Sequence, residues 1–326
     1  MRIFVAGASG AIGSRLVPQL VENGHEVIGT YKSPGKDAGL RALGARPVAL
    51  DLLDAAAVRM AVLEIKPDAI VNQATALANV HFSKNLDRSF AETNRLRIEG
   101  TDALLAAARE ARVHRIVAQS YASLRYARVG GPVKTEDDPL DDVPVKGMSE
   151  TCAAMTYLDE AVTEAGGIAL RYGGFYGAAN DGMIAPVRKR QFPIVGNGNG
   201  VSSFVHLDDA AAATVLALEH DGPAIYNIVD DEPAPLREWL PVLAEALGAK
   251  APRHVPVWLG RLFAGDAGVM MGTEARGASN VKAKRELGLK LRYPSWRQGF
   301  FAAYSSVAAN DRGESQPAVG ARESKN

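Results

Sequence analysis

The chain has 326 residues and only one cysteine, Cys152, so no intramolecular disulfide can staple it. It has no excess of either charge, since 37 basic residues face 37 acidic ones. No global field draws it to nucleic acid or to an anionic membrane, which argues against a dedicated DNA-binding protein. It has no apolar run approaching about 18 residues and hence no bilayer-spanning helix. The opening MRIFVAGASG lacks the basic region, long apolar stretch and cleavage site of a secretory signal. These absences predict a cytoplasmic protein. The six histidines, His25, His81, His114, His206, His220 and His254, lack metal-ligand spacing, so no metal is expected. What is present is ordinary: 47% hydrophobic and 23% charged residues, in a length that suits one large domain or two packed ones.

Over the first 170 or so residues, short β-rich runs alternate with amphipathic patterns. The runs are Ile3 to Ala6, Glu26 to Thr30, Pro47 to Leu50, Ala69 to Asn72, Ile116 to Gln119 and Ile168 to Arg171. Apolar residues three or four apart mark helices over Ile12 to Glu22, Ala55 to Ile65, Arg95 to Ala111 and Ser149 to Ala165. Such alternation predicts right-handed βαβ crossovers and an α/β fold, a Rossmann-type doubly wound parallel sheet over residues 1–173. Residues 174–309 turn to Gly- and Pro-rich loops with helices over Leu207 to Leu218, Leu236 to Leu247 and Val281 to Leu287, and are read as a smaller substrate-capping region. The polar tail 310–326 has no apolar face and is expected to be disordered.

GASGAIG at 7–13 lies between the first strand and the first helix. Gly7 permits the tight turn, Gly10 lets backbone approach a pyrophosphate, and Gly13 lets helix and strand pack closely. The helix N-terminus offers free N–H groups and positive dipole charge, so Gly7, Ser9, Gly10, Ala11, Ile12 and Gly13 are candidate cofactor contacts.

With its Gly-x-x-Gly-x-x-Gly spacing the sequence resembles the short-chain dehydrogenase/reductase superfamily, in particular its extended branch, the NAD-dependent epimerase/dehydratase family. The likeness runs to about residue 300 and includes Asp51-Leu52, Asn72-Gln73-Ala74, Gly100-Thr101, Leu170 to Gly177 and Phe204 to Asp209. It implies adenine contacts at Asp51 and Leu52, ribose-side contacts at Gln73, Ala74 and Thr75, and nicotinamide-side residues at Tyr172, Gly173 and Phe175. The loop Phe192 to Gly200 resembles the family's substrate-side loop, and dimerisation of the family implies a homodimer.

The end of the second strand reads Gly29-Thr30-Tyr31-Lys32-Ser33, with no acid before Asp37. A carboxylate there would accept from ribose hydroxyls and repel a 2′-phosphate. Tyr31, Lys32 and Ser33, with Arg15 assisting, therefore predict a preference for NADP(H) over NAD(H).

The family's usual chemistry uses a Tyr and a Lys four residues later on one helix face. None of the nine tyrosines has a Lys at that spacing. Anchored on Glu160, the two positions fall on Cys152 and Thr156, and the Asn usually found three residues before Gly100-Thr101 is Arg97. The chain thus resembles the atypical members of the superfamily. The fifth strand's end, Gln119 to Tyr126, puts Tyr121 at the family's Ser/Thr position, so Tyr121 is the expected proton or hydrogen-bond donor, aided by Ser120. Arg125, four residues on, lies in a loop and is not credited with the missing geometry; Tyr157 is expected to pack. Asp137-Asp138, Asp141-Asp142 and Asp230-Asp231 read as solvated turn residues, Asp208-Asp209 as a helix cap, His206 as structural, and Arg188-Lys189-Arg190 as a solvated helix face. The resulting expectation is an atypical oxidoreductase moving hydride between NADP(H) and a small carbonyl or alcohol substrate. The alternatives are a nucleotide-sugar epimerase or dehydratase and a non-catalytic NADP(H)-binding sensor or assembly protein.

Overall fold

The β-rich runs all become strands of one parallel sheet in the computed structural model, which describes residues 1–77, 83–178 and 182–311. The strands are β1 (Arg2–Ala6), β2 (Glu26–Tyr31), β3 (Arg46–Ala49), β4 (Ala69–Asn72) and β5 (Arg115–Tyr121), joined by Ile168–Tyr172 and Ala224–Ile228. Across the sheet the order is Ala224–Ile228, Ile168–Tyr172, β5, β4, β1, β2, β3, and every pairing is parallel. The winding direction reverses between β1 and β4, and there a doubly wound sheet opens a crevice at its carboxyl edge.

Both faces are covered because the inner strands are apolar and buried on both sides. On one face Leu16, Val17 and Leu20 of helix Gly13–Glu22 join the Ala-rich helix Leu207–Leu218. On the other, Val58, Val62 and Ile65 meet Leu104, Ala107 and Ala108 and then Leu158 and Val162 of helix Ser149–Glu164. The helical pattern over Arg95 to Ala111 is broken at its start: Leu96–Gly100 forms a π-turn ahead of the α-helix Thr101–Ala111. Such single wide turns often occur at functional sites.

After Gly173 the chain returns to the sheet as well as capping it. Helices Leu207–Leu218 and Val281–Glu286 pack on the sheet, and Ala224–Ile228 adds its edge strand. The capping part has its own aromatic core of Trp239, Trp296, Phe300 and Tyr304. Helices Val257–Thr273 and Trp296–Asp311 were not anticipated; the second runs past the expected start of the tail, and the rest of that tail, 312–326, lies outside the described residues. No helix among the described residues is long and apolar enough to cross a membrane.

Several acids prove structural in ways the sequence did not suggest. Asp230 is 1% exposed rather than solvated; it accepts from Trp296 N at 2.8 Å, and burial pushes its carboxyl up to about 8. Asp209 does not cap its own helix but accepts from Arg292 N (2.8 Å) and Tyr293 N (2.9 Å), while His206 Nδ1 caps the helix by accepting from Asp208 N. Asp138 does close a turn, accepting from Thr135 N at 2.8 Å, and Asp141 pairs with Arg128 at 3.0 Å. Arg190, at the end of the basic cluster, donates to Ala251 O at 2.9 Å.

Candidate functional site

The glycine loop forms because its residues tolerate what the turn demands. Gly7 has φ +77°, and a Cβ there would sit 2.8 Å from the Ala74 backbone. A Cβ on Gly13 would lie 2.3 Å from Ala8 O, so the helix can approach the strand only with glycine. Gly10 differs: its Cβ would meet protein only at Gly7 O, 3.2 Å away, and its other side faces open space. No side chain caps helix Gly13–Glu22 at Ile12. A backbone cradle that one methyl group would begin to fill, at an uncapped helix N-terminus, fits the pyrophosphate of a dinucleotide. Gly7, Ser9, Gly10, Ala11, Ile12 and Gly13 would hold it.

At the adenosine end Tyr31 closes β2 and Lys32 follows. Lys32 is not a free cation: Nζ lies 3.1 Å from Asp51 and 3.3 Å from Glu92. Asp51 also accepts from Leu53 N at 3.1 Å, and this bond, with Lys32, holds its carboxyl below the usual range. Leu52 is buried in the core, whereas Ser33 is exposed. Arg15 does not assist at this end. Its Nε pairs with Asp208 at 3.2 Å and its Nη2 donates to Gly177 O at 3.2 Å, tying the first helix to the capping part.

Toward the nicotinamide end, Ala74 and Thr75 leave β4 half-buried beside the loop. Gln73 turns inward, donating to Tyr172 Oη and to Thr214 Oγ1, each at 3.3 Å. Tyr172 is itself fully buried, with Oη 2.6 Å from Thr214 Oγ1, so its ring belongs to the core and does not line an open site. Gly173 permits close approach of the next chain segment, since a Cβ would fall 2.7 Å from Ser203 O. Phe175 is half-buried and packs on Tyr172 at 5.4 Å between ring centroids.

The residues expected on the reaction side lie where β5 meets helix Ser149–Glu164. Tyr121 packs against an apolar cluster of Leu86, Met148, Cys152, Met155, Ala267 and Met270. Burial raises its phenol pKa, so Tyr121 stays protonated at neutral pH. The hydroxyl beside it is Ser123, not Ser120. Ser120 is 2% exposed, and among the described residues its Oγ has no hydrogen-bond partner. Cys152 faces the same loop, its Sγ 3.7 Å from Leu124 O, and burial pushes the thiol up to about 11, which makes it a poor nucleophile. Tyr157 is at the surface, donating to Asp102 at 2.5 Å, and so does not pack inward.

Three arginines are buried nearby. Arg97, on the π-turn, is 8% exposed and donates to Asn94 Oδ1 at 3.2 Å; Asn94 in turn donates to Thr151 Oγ1 at 3.1 Å. Arg125 and Arg171 share the single carboxylate of Asp159, Arg171 Nε at 2.7 Å and Arg125 through a short contact. Arg171 also donates to Tyr126 Oη at 3.2 Å. Burial and the neighbouring charge of Arg125 pull the Arg97 guanidinium down to about 10, which leaves it cationic at neutral pH.

The family model described as "NAD dependent epimerase/dehydratase family" matches residues 3–229. The chain belongs to that family. Membership implies a nicotinamide dinucleotide as cofactor. The chain is 40% identical, over 92% of its own length and 99% of the other's, to a Streptomyces protein named 3-diazoavenalumate denitrifying reductase. It is 29% identical, over 76% of each chain, to 2-alkyl-3-oxoalkanoate reductase of Stenotrophomonas maltophilia. The crystal structure of UDP-glucose 4-epimerase from Thermotoga maritima, with UDP-glucose, superposes with a TM-score of 0.74 at 22% identity, covering 96% of this chain and 100% of that one, which shows the fold alone.

The positions expected from sequence to carry the family's Tyr and Lys hold Cys152 and Thr156. Cys152 lies buried beside Tyr121 at the expected tyrosine position, and Thr156 one turn on brings no charge. Arg97, Arg125 and Asp159 were not singled out as site residues from sequence. Arg97 alone carried a signal, being a cation where an Asn is usual; the pairing of Arg125 with Asp159 spans 34 residues and has no local signature.

Proposed function

We propose that this protein is a reductase that directs hydride from NADPH to an electrophilic group on a small aromatic acid, with a diazo carbon–nitrogen group as the preferred acceptor. One observation carries the reading: the glycine loop leaves a backbone cradle open at Gly10, while the helix face expected to relay a proton presents a neutral thiol and a threonine. A ketone needs a proton as well as a hydride. An aryldiazonium does not: hydride replaces dinitrogen on the ring carbon, the C–N bond breaks, N2 leaves, and the charges balance with no proton from the protein. The 40% identity to a denitrifying reductase supports the same acceptor class. When bound, the cofactor supplies the hydride; this chain positions it, keeps water out with the Met148, Met155 and Met270 cluster, and offers the Tyr121 hydroxyl to the acceptor.

The test is anaerobic incubation with NADPH and diazotised 3-amino-4-hydroxybenzoate, against a protein-free control. Protein-dependent loss of NADPH with one equivalent each of 4-hydroxybenzoate and N2 is expected. Consumption of a 3-oxo acid instead would favour the second reading, ketone reduction with Tyr121 as proton donor, which the resemblance to the 2-alkyl-3-oxoalkanoate reductase supports. Tyr121→Phe separates the two. Diazo reduction should fall by no more than a few-fold, ketone reduction by about 100-fold, the usual scale for a lost general acid. Turnover of neither class would leave a non-catalytic cofactor-binding protein.

For the cofactor we propose NADPH over NADH, with Lys32 and Ser33 receiving the 2′-phosphate. The phosphate must share Lys32 with Asp51 and Glu92, which limits the selectivity. Lys32→Ala should weaken NADPH about tenfold, roughly 1.4 kcal/mol, and leave NADH almost unchanged. Parallel fluorescence titrations check this; equal wild-type affinities for the two cofactors would remove the assignment.

A further inference from the structure

We propose that Arg97 is the anion-binding residue of the substrate site, its buried guanidinium receiving the carboxylate of an aromatic acid substrate beside Tyr121 and Cys152. This deepens the reductase reading and rests on it for the identity of the reacting group.

Arg97, Arg125 and Arg171 are all buried, and the one comparably buried acid among them is Asp159. Asp159 is committed to Arg125 and Arg171. Glu136, half-buried, answers Arg171 and Lys282 and is bonded to Asn227 N at 2.6 Å. Arg97 therefore keeps a buried positive charge whose hydrogen-bond acceptor is a neutral amide, Asn94. A buried, unneutralised guanidinium is costly, and its usual purpose is to meet an anion.

Placement is the second strand. The π-turn that carries Arg97 packs on helix Ser149–Glu164, and Asn94 fixes the guanidinium by bonding both it and Thr151, the residue before Cys152. Thr151 is followed by Cys152, which packs in one cluster with Tyr121, so a short hydrogen-bonded relay joins Arg97 to the place where the family's Tyr is expected. A third observation points the same way. Among the described residues, Arg125 Nε and Nη1, nine-tenths or more buried beside Arg97, have no hydrogen-bond partner, so acceptors are in short supply on this wall of the site. The residues packed around Tyr121 and Cys152 are apolar and sulfur-rich, with Met148, Met155, Met270 and Phe90, which suits contact with an aromatic ring. One cation beside a methionine-rich cluster would select an aromatic carboxylate over a neutral analogue.

The test uses binding, so it does not depend on the reaction. Calorimetric titration of the full-length protein, with and without NADP+, compares 4-hydroxycinnamate with its primary amide. Wild type should hold the acid at least tenfold more tightly. Arg97→Gln should abolish that preference while leaving NADPH affinity within about twofold, and Arg97→Lys should retain part of it. Equal binding of acid and amide by wild type overturns the proposal without any variant, so it stays testable even where Arg97→Gln fails to fold. A preference that survives in Arg97→Gln overturns the assignment to Arg97. Loss of diazo reduction is a separate outcome, read by NADPH consumption, and leaves the carboxylate preference to stand or fall on its own.

Discussion

Asp159→Asn is expected to be the most damaging single substitution in this protein, costing about 3–5 kcal/mol of folding stability, the range found when one partner of a buried ion pair is removed. The carboxylate lies between Arg125 and Arg171, which are 1% and 4% exposed. Without it two guanidiniums would remain in the interior facing each other, with Arg97 adding to the field. Asparagine keeps the shape but removes the charge, so the loss reports electrostatics and not packing. Since each kcal/mol shifts the melting temperature of a large domain by roughly 2–4 °C, a fall of about 10 °C is expected in a thermal melt. Adding Arg125→Met to the asparagine variant should recover part of the loss, because it removes one of the uncompensated charges. A drop below about 1 kcal/mol would mean that other groups neutralise this cluster.

Gly10→Ala is expected to abolish cofactor binding with the fold intact, weakening NADPH by about 100-fold, roughly 2.7 kcal/mol. The added methyl meets protein only at Gly7 O, 3.2 Å away, and otherwise projects into the cradle the pyrophosphate would occupy. Gly13→Ala should behave differently. Its Cβ would lie 2.3 Å from Ala8 O, so strand and helix must separate and stability should fall together with binding. Fluorescence titration paired with a thermal melt distinguishes the two: unchanged melting and lost binding for Gly10, loss of both for Gly13. NADPH binding by Gly10→Ala equal to wild type would mean that the loop is only a turn.

The sequence by itself determined the fold and the cofactor loop, because both rest on short-range rules. Period-two and period-3.6 apolar patterns set the strands and helices, and helix Ala55–Ile65 and strand Ala69–Asn72 begin and end where the pattern does. Two glycines of the heptad, Gly7 and Gly13, hold positions that only glycine can fill, and the third, Gly10, leaves the loop open on one side. That no tyrosine is followed by a lysine four residues later is equally a matter of local spacing.

Only the tertiary structure decided where each polar side chain spends its charge. Tyr172 sits in a motif that resembles the nicotinamide side, yet its hydroxyl is taken by Thr214, 42 residues away. Arg15 and Lys32 both read as phosphate partners, but Arg15 is bound to Asp208 and Lys32 is held between Asp51 and Glu92. Asp230 read as a loop residue and is a buried anchor for Trp296, 66 residues on. Arg97 was legible as an oddity, and became a site candidate only once its burial, its neutral partner Asn94 and the prior commitment of Asp159 were visible together. Backbone conformation follows from neighbours along the chain, whereas the partner that neutralises a buried charge arrives through the packing of distant segments, and no local pattern encodes which one it will be.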